Sequence, residues 1–516
     1  MTRLRWASAI ALVALTASAC GMGGDDNGNN GGSADGEGSG DGHVVYAEFT
    51  APLAAWAPET DDGILLSRAG CLETLLRYEA DGTLTENLAT AWEQADPETW
   101  EFTLREGVEF QDGTPMDADA VVGALQHVLD AKTPARSFNP DVVSGVEAVD
   151  ASTVAITTPA ADVLLPLRVA SPNTGILAPK AYEGQQIDIQ GTCTGPFTVV
   201  DEVPRQSLSM ERNEDYWGGE VATATAEVRF VVDGASRVTQ VQTGEAQIAA
   251  AIPAVSLSTL EGDSNIHVES IQQPRTSVML LNNSRPPFDD PLVRQAIQHA
   301  IDIETIAATV YEGGAIPAVG PFSPDDPWAP AGAGAVAFDQ AEAESLLDQA
   351  GVDPSSLNFE LIAYNDRPEF GDLAAVIQEQ LGQLGATVKI RAGEYASVEP
   401  DMLAGEFDAA LLSRGYLVDL GDPVGYLSSD YTCEGGYNIA HYCDPEVDAM
   451  VSEAAGTEDS EARNAIYGQV AERLQGDPAS VFLVHESLVT AMSTNLEGFV
   501  PHPLNFYVLT KDVSGG

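Results

Sequence analysis

The segment with the clearest structural pattern runs from Leu76 to Leu125 and reads LRYEADGTLTENLATAWEQADPETWEFTLREGVEFQDGTPMDADAVVGAL. It contains the dipeptides Asp81-Gly82 and Asp112-Gly113, which favour tight turns. Between them, Thr99–Arg105 alternates apolar and polar side chains, as a strand with one buried face does. After Pro115 the spacing becomes helical. The apolar positions are Ala120, Val121, Ala124, Leu125 and Val128, with Asp117 or Asp119 as the capping residue. The stretch therefore predicts two hairpins followed by a helix.

Length and charge narrow the class of protein. A chain of 516 residues is too long for one hydrophobic core, so we expect two or three lobes. Its 79 acidic and 23 basic residues give a net charge of −56. A surface of this sign repels nucleic-acid phosphates and anionic lipids, which excludes both as partners. We interpret the acidity as a solvated surface and not as a cation-binding site.

The N-terminus predicts export. Arg3 and Arg5 precede the apolar run Ala7–Leu15, which is too short to cross a bilayer as a mature helix but is typical of a signal peptide. The run ends in residues 17–20, Ala-Ser-Ala-Cys, which resemble a bacterial lipobox, although Ala17 stands where leucine is usual. We expect residues 1–20 to be a lipoprotein signal peptide, with Cys20 lipidated. The alternative is simple cleavage without a lipid.

The segment after the signal peptide is expected to be a tether. Residues 21–42 read GMGGDDNGNNGGSADGEGSGDG and contain almost nothing that could be buried, which predicts disorder. Two or more acyl chains on Cys20 would hold the protein stably at a membrane, because each buried methylene contributes about 0.8 kcal/mol. The predicted location is therefore the outer face of the cytoplasmic membrane, reached through a lipid anchor only.

From His43 onwards the chain has the pattern of a folded α/β protein. Strands are predicted at His43–Phe49 and Leu357–Asn365, and helices at Gly63–Arg77 and Ala374–Gly385. In the later half of the chain, strands and helices alternate at short spacing. Such alternation predicts an α/β lobe with a largely parallel sheet.

Three groups of motifs carry a resemblance to a known family. They are the opening stretch, the segment from Gly191 to Gly219 that ends in Asp-Tyr-Trp-Gly-Gly, and residues 283–300, NSRPPFDDPLVRQAIQHA. Together they resemble extracellular solute-binding family 5, the peptide and nickel receptors of ABC transporters. The resemblance extends from about His43 to Leu509, although Cys193 interrupts the usual Gly-Thr-Gly-Pro-Phe turn.

The resemblance implies an α/β, bilobal periplasmic-binding-protein-like fold of class II, the large peptide-binder type. Mixed sheets with flanking helices and two hinge crossings are expected. The first lobe would comprise residues 43–275, with an inserted subdomain at about 86–190, and the second lobe residues 276–480. Residues 481–516 would return to the first lobe. Ligand would lie between lobes that close on it.

The same resemblance assigns a ligand site within Phe407–Leu427. It implies that Asp419 pairs with the α-ammonium group of a peptide, while Gly415, Tyr416 and Leu417 offer main-chain groups to it. A carboxylate enclosed with a cation is stabilised by charge-assisted hydrogen bonds. The alternative for Asp419 is an ordinary loop cap.

The partner of a peptide's carboxylate is less well defined. Dipeptide binders of the family place an arginine in the loop that here reads AYNDRPEFGD, but in ungapped register that position is Tyr364. Arg367 follows three residues later, and Arg275 is a further candidate. The departure leaves longer peptides or another solute open. Trp56 is predicted either to wall the cleft or to pack on a lobe.

The cysteines support export. Without Cys20 four remain, an even number in a chain destined for an oxidising compartment. Cys433 and Cys443 bracket a segment that Gly435-Gly436 could turn, and related peptide binders carry a similar local pair. Cys71 and Cys193 would then form a long-range pair. A metal site that includes Cys433, His441 and Cys443 is the rival, but its spacing matches no common zinc pattern.

We therefore predict a binding protein and not an enzyme, since the nucleophile elbow, zincin and Walker motifs are all missing from the sequence. The expected function is capture of di- or oligopeptides outside the cell and delivery to an ABC permease with separate ATPase subunits. A nickel chelate or an oligosaccharide stays open as the cargo, as does a surface sensor or peptide chaperone. No cofactor or bound metal is expected, and the protein is predicted to be a monomer.

Overall fold

The computed structural model of the protein describes residues 42–330 and 332–515. The predicted signal peptide, Cys20 and all of the predicted tether except Gly42 lie outside the described residues.

The described residues form strands β1 (His43–Glu48), β2 (Leu76–Tyr78), β3 (Leu84–Glu86), β4 (Ala89–Asp96), β5 (Thr99–Leu104), β6 (Gly145–Asp150), β7 (Thr153–Thr157), β8 (Phe197–Val203), β9 (Ser207–Arg212), β10 (Thr225–Phe230), β11 (Ile248–Ala249), β12 (Ile266–Leu281), β13 (Ala315–Pro317), β14 (Asn358–Tyr364), β15 (Thr387–Gly393), β16 (Ala409–Gly415), β17 (Ser480–Ser493), β18 (Leu496–Glu497) and β19 (Ser514–Gly515). The α-helices are α1 (Asp61–Arg68), α2 (Ala118–Asp130), α3 (Leu165–Arg168), α4 (Gly234–Thr243), α5 (Leu257–Leu260), α6 (Pro291–His299), α7 (Ile303–Thr309), α8 (Gln340–Ala350), α9 (Glu369–Leu384), α10 (Tyr395–Leu403), α11 (Val424–Asp430), α12 (Pro445–Ala455) and α13 (Ser460–Gly476).

The opening stretch folds as the sequence predicts. β2 and β3 form a hairpin around Asp81-Gly82, and Gly82 has the positive φ of 84° that such a turn requires. β4 and β5 form the second hairpin. The side chain of Asp117 then caps α2 by accepting a hydrogen bond from the Ala120 N–H at 3.0 Å.

The predicted helix at Gly63–Arg77 is wrong in length, because α1 ends at Arg68. Gly70 has a φ of +69°, and a Cβ on it would lie 2.1 Å from the carbonyl oxygen of Leu509. This close approach of the C-terminal segment requires a glycine in a left-handed conformation, which ends the helix. The chain then continues into β2.

The largest sheet has the strand order β15-β14-β16-β12-β17-β11-β1-β10-β9-β8, with β13 added to β17. β14 is parallel to β15 and β16, whereas β12 is antiparallel to β16 and β17. The predicted parallel pairing therefore holds at β14, and β1 is also parallel to its neighbours β10 and β11, while the centre of the sheet is antiparallel. β12 and β17 are the longest strands and pair along most of their length, with a register shift between Gln272 and Thr276.

The buried side chains of the described residues form several separate clusters. One cluster draws on residues 278–484, including Phe288, Ile297, Leu361, Leu411 and Leu483, and also takes in Leu164. A second lies within residues 75–178, including Phe102, Val121, Leu125 and Phe138. A third joins residues 44–250 to the C-terminal residues 488–513, including Tyr46, Leu66, Phe197 and Val508. The fold is α/β and bilobal, and the exact lobe boundaries given above stay predictions.

Disulfides join Cys71 to Cys193 and Cys433 to Cys443. This is the pairing that the sequence suggested. Cys71 and Cys193 are both fully buried in the third cluster and lie 122 residues apart in the sequence.

Two buried histidines make stability depend on pH. The Val319 N–H donates to Nε2 of His485 at 3.1 Å, and Nδ1 lies 2.9 Å from the Thr276 hydroxyl, which itself donates to a carbonyl. The proton is therefore on Nδ1 and the ring is neutral. Burial lowers the pKa of His485 to about 3 and that of His502 to about 4.

We expect the free energy of unfolding to fall as pH drops below about 6.5, the ordinary pKa of histidine in an unfolded chain. Below that pH the unfolded chain binds a proton that His485 in the fold does not, which costs about 1.4 kcal/mol per pH unit down to a pH of about 3. Urea denaturation at pH 7.5 and pH 5 measures the loss. His485→Gln should lose about 2 kcal/mol less between these pH values than wild type. The control is His267→Gln, since His267 is exposed. Equal pH dependence in all three proteins would contradict the prediction.

Candidate ligand-binding site

The site is built where β16 leaves the central sheet. Gly415, its last residue, pairs with Arg275 of β12, and the Tyr416 N–H donates to the Pro274 carbonyl at 3.0 Å. A Cβ on Gly415 would lie 3.3 Å from Nη2 of Arg275. The missing side chain thus makes room for the guanidinium group of Arg275, and the loop to Asp419 begins beside it.

Arg275 is a partly buried cation whose hydrogen bonds go to neutral groups, although the charge of Glu486 acts on it from a greater distance. Its Nη1 donates to the carbonyl oxygen and the hydroxyl of Ser413, at 3.4 and 3.2 Å. In residues 42–330 and 332–515, no carboxylate oxygen lies within 4.0 Å of its guanidinium nitrogens. Burial lowers the pKa of Arg275, because the charged form loses solvation there. The arrangement suits an incoming carboxylate.

Arg367, in contrast, is already paired. Its Nη2 lies 2.5 Å from Glu486 Oε2, and its Nε lies 2.8 Å from Glu369 Oε1. The other oxygen of Glu486 accepts hydrogen bonds from the hydroxyls of Ser277 and Ser413, at 2.7 and 2.6 Å. Burial alone would raise the pKa of Glu486. The charges of Arg367 and Arg275 and the hydroxyls of Ser413 and Ser277 instead hold this pKa below its ordinary value.

Asp419 is held by two arginines. Its Oδ2 lies 3.4 Å from Arg136 Nη1 and 3.5 Å from Arg414 Nη2, and its side chain is 30% exposed. Arg414 also makes a two-pronged contact with Asp430, at 2.9 and 3.2 Å. Asp419 is therefore a partly exposed carboxylate in an environment that stabilises its charge.

Comparison with known proteins identifies the chain. Residues 83–438 match the family described as "Bacterial extracellular solute-binding proteins, family 5 Middle". The chain belongs to this family. The resemblance stated from the sequence is therefore confirmed. Family 5 proteins are substrate-binding proteins of ABC transporters and not enzymes.

Three similar proteins indicate the range of the family. The Probable D,D-dipeptide-binding periplasmic protein DdpA of Escherichia coli (strain K12) is 28% identical over 457 residues, which cover 84% of this chain and 86% of DdpA. The glutathione-binding protein GsiB of Escherichia coli (strain K12) is 26% identical over 498 residues, which cover 89% of this chain and 95% of GsiB. A crystal structure of a nickel ABC transporter from Bacillus halodurans is 28% identical with a TM-score of 0.78, covering 92% of this chain and all of that one.

The other residues predicted for the site have buried side chains in this family 5 protein. Tyr416 is buried; its hydroxyl donates to Asp326 and accepts from the Ser323 N–H at 3.1 Å. Burial raises the pKa of Asp326 to about 6. Leu417 is also buried. For residues 415–417, contact through main-chain groups stays a prediction.

Tyr364 and Trp56 pack within the fold. The ring of Tyr364 makes edge contacts with Phe370 and Tyr395, with centroids 4.8 and 4.9 Å apart. Trp56 belongs to the third buried cluster, and its Nε1 donates to Glu202 at 2.9 Å. A ligand contact for either residue stays a prediction.

The structure adds residues that the sequence interpretation missed. Arg136 reaches Asp419 from the loop after α2, and the hydroxyl of Tyr78 approaches the carbonyl oxygen of Gly421 at 3.4 Å. A Cβ on Gly421 would lie 2.4 Å from the Tyr78 ring, so the glycine permits this contact. Glu486 had a visible signal, a charged residue inside the apolar segment SVFLVHESLV. Arg136 had none.

In the described part of the chain, no helix has both the length and the apolar character needed to cross a membrane.

Proposed function

We propose that this protein captures peptides outside the cell and delivers them to an ABC permease whose ATPase subunits hydrolyse ATP separately. The observation that carries the proposal is a pair of opposite charges at the end of β16. Arg275 pairs across the sheet with Gly415, and Asp419 follows four residues later on the same loop. A cation and an anion so placed are complementary to the two ends of a zwitterionic peptide.

In this proposal Arg275 binds the peptide's carboxylate and Asp419 its α-ammonium group. Arg275 is favoured over Arg367, because Arg367 already has Glu486 and Glu369 as partners. Binding energy would close the first lobe, residues 43–275 with 481–516, on the second lobe, residues 276–480, with β12 and β17 as the hinge strands. The exported protein would act as a monomer, held at the outer face of the membrane by lipid on Cys20.

Calorimetric titration tests the proposal. Peptides of two to six residues should bind saturably to the wild-type protein, and Arg275→Gln should weaken them about 30-fold or more, because a desolvated charge pair is lost. The same peptides with an amidated C-terminus should bind weakly to both proteins and show little effect of the substitution. Arg391→Gln, on the edge strand β15, is the control and should bind like wild type.

The alternative ligands, a nickel chelate and an oligosaccharide, are tested in the same titration. If a nickel chelate or an oligosaccharide binds while no peptide does, the proposal is wrong. Uptake of a bound peptide by cells that carry the permease, and its loss on deletion of this protein, would separate import from sensing.

A further inference from the structure

Asp419 has two competing cations around one oxygen. Arg136 and Arg414 both approach Oδ2, at 3.4 and 3.5 Å, and Arg136 does so from a position 283 residues earlier in the chain. A ligand ammonium group that binds Asp419 therefore competes with these guanidinium groups, because a third cation at this carboxylate repels the other two. The consequence for specificity depends on which one moves.

Of the two arginines, Arg136 is the one that a ligand can displace from Asp419 more easily. The side chain of Arg414 is only 10% exposed, and its Nε and Nη2 both donate to Asp430. Its position is fixed by two charge-assisted hydrogen bonds that do not involve Asp419. The side chain of Arg136 is 60% exposed, so water can solvate its guanidinium group when it leaves Asp419.

After displacement Arg136 stays close to the site. The Asn139 side chain donates to the carbonyl oxygens of Ala135 and Arg136, at 3.2 and 2.9 Å, which fixes the turn that carries the arginine. The guanidinium carbon also lies 5.5 Å from the centre of the Tyr437 ring, within cation–π range. Because this turn fixes the backbone of Arg136, a displaced guanidinium group can move away from Asp419 only as far as its own side chain allows.

We infer that Arg136 is a specificity-determining residue that selects peptides with an acidic first residue. This inference rests on the proposed function, since it takes Asp419 as the ammonium site. An acidic first side chain lies beside the α-ammonium group and gives the displaced Arg136 a new carboxylate partner. A peptide with a neutral first residue also displaces Arg136 from Asp419, but it provides no carboxylate with which Arg136 could form a new ion pair. The nearby Glu399 is a poorer substitute, because its Oε1 already accepts hydrogen bonds from the hydroxyls of Tyr395 and Tyr437.

The test is a calorimetric comparison of two tripeptides, Glu-Ala-Ala and Ala-Ala-Ala, with the full exported protein. Wild type should bind the acidic peptide about three- to tenfold more tightly, the range expected for one partly exposed charge pair. Arg136→Gln should lose this preference and bind Ala-Ala-Ala more tightly than wild type does, because the competitor for Asp419 is gone. Arg205→Gln, an exposed arginine in the turn between β8 and β9, should behave like wild type.

Three results would overturn the inference. If Arg136→Gln weakens both tripeptides equally, Arg136 is a structural contact between distant parts of the chain. If the preference persists in Arg136→Gln, another residue causes it. In both cases peptides still bind and the proposed function stands. If wild type binds neither these tripeptides nor any peptide of two to six residues, the inference and the proposed function fail together.

Discussion

Replacing Glu486 with alanine is expected to lower the free energy of unfolding by about 3–5 kcal/mol, the usual cost of removing one partner from a buried ion pair. Glu486 is 6% exposed and accepts hydrogen bonds from Arg367, Ser277 and Ser413. Alanine leaves Arg367 with one carboxylate partner fewer and both hydroxyls without an acceptor. Urea denaturation at pH 7.5, where His485 and the other buried histidine are neutral, measures the change.

Glu369→Ala is the matched control, because Glu369 pairs with the same arginine from a more exposed position. Its loss should cost about 1 kcal/mol or less, as for other solvent-exposed pairs. Glu486→Gln keeps the shape and one acceptor, so its cost should lie between those of the two alanine variants. If Glu486→Ala and Glu369→Ala destabilise the protein equally, burial of Glu486 does not determine its contribution.

The position of Glu486 also links stability to the site. Ser413 donates its hydroxyl to Glu486 and accepts a hydrogen bond from Arg275, and it lies two residues before Gly415. The carboxylate therefore holds the strand end from which the loop to Asp419 leaves. It does so on β17, which pairs with β12 on both sides of a register shift. Glu486 lies at this register shift, between His485, which pairs with Thr276, and Ser487, which pairs with Gln272.

Local chemistry explains why much of the fold could be predicted. The Asp-Gly turns, the strand alternation and the cap at Asp117 act within a few residues, so their effects are readable in the sequence. Where contact with a distant segment determines the local structure, prediction from the local sequence pattern fails. Helical spacing continues past Arg68, but Gly70 is held against Leu509, some 440 residues later, and α1 ends. Long-range packing of this kind leaves no periodic pattern.

The site shows the same division. The resemblance led to Gly415 and Asp419 because they lie in one continuous motif, and the structure places them at one strand end. Arg136 contacts Asp419 across 283 residues, from a polar loop with nothing to distinguish it from other exposed arginines. The loop with Tyr364 and Arg367 was predicted to bind the peptide's carboxylate from its sequence register. Sequence register cannot show that Arg367 already forms an ion pair with Glu486. Partners that lie far apart in the sequence become visible only in the structure.

Removing the Cys71–Cys193 disulfide by substituting both cysteines with alanine is expected to cost about 4–5 kcal/mol of the free energy of unfolding. The bond closes a loop of 122 residues, and loops of about 100 residues are stabilised by about 4.7 kcal/mol through lost entropy of the unfolded chain. That loop contains the whole second buried cluster, residues 75–178. The disulfide fixes both ends of this unit to the third cluster, in which Cys71 and Cys193 are buried. Urea denaturation under non-reducing conditions measures the loss.

The second disulfide provides the matched control, because Cys433 and Cys443 are only 10 residues apart. The same entropy argument gives about 3 kcal/mol for a loop of about 15 residues, so the alanine pair at 433 and 443 should cost roughly 2 kcal/mol less than the pair at 71 and 193. The order of the two losses is the decisive result, since both variants remove two sulfur atoms and one covalent bond. If the short loop costs as much as the long one, strain or local packing at each cysteine determines the stabilisation, and the length of enclosed chain does not.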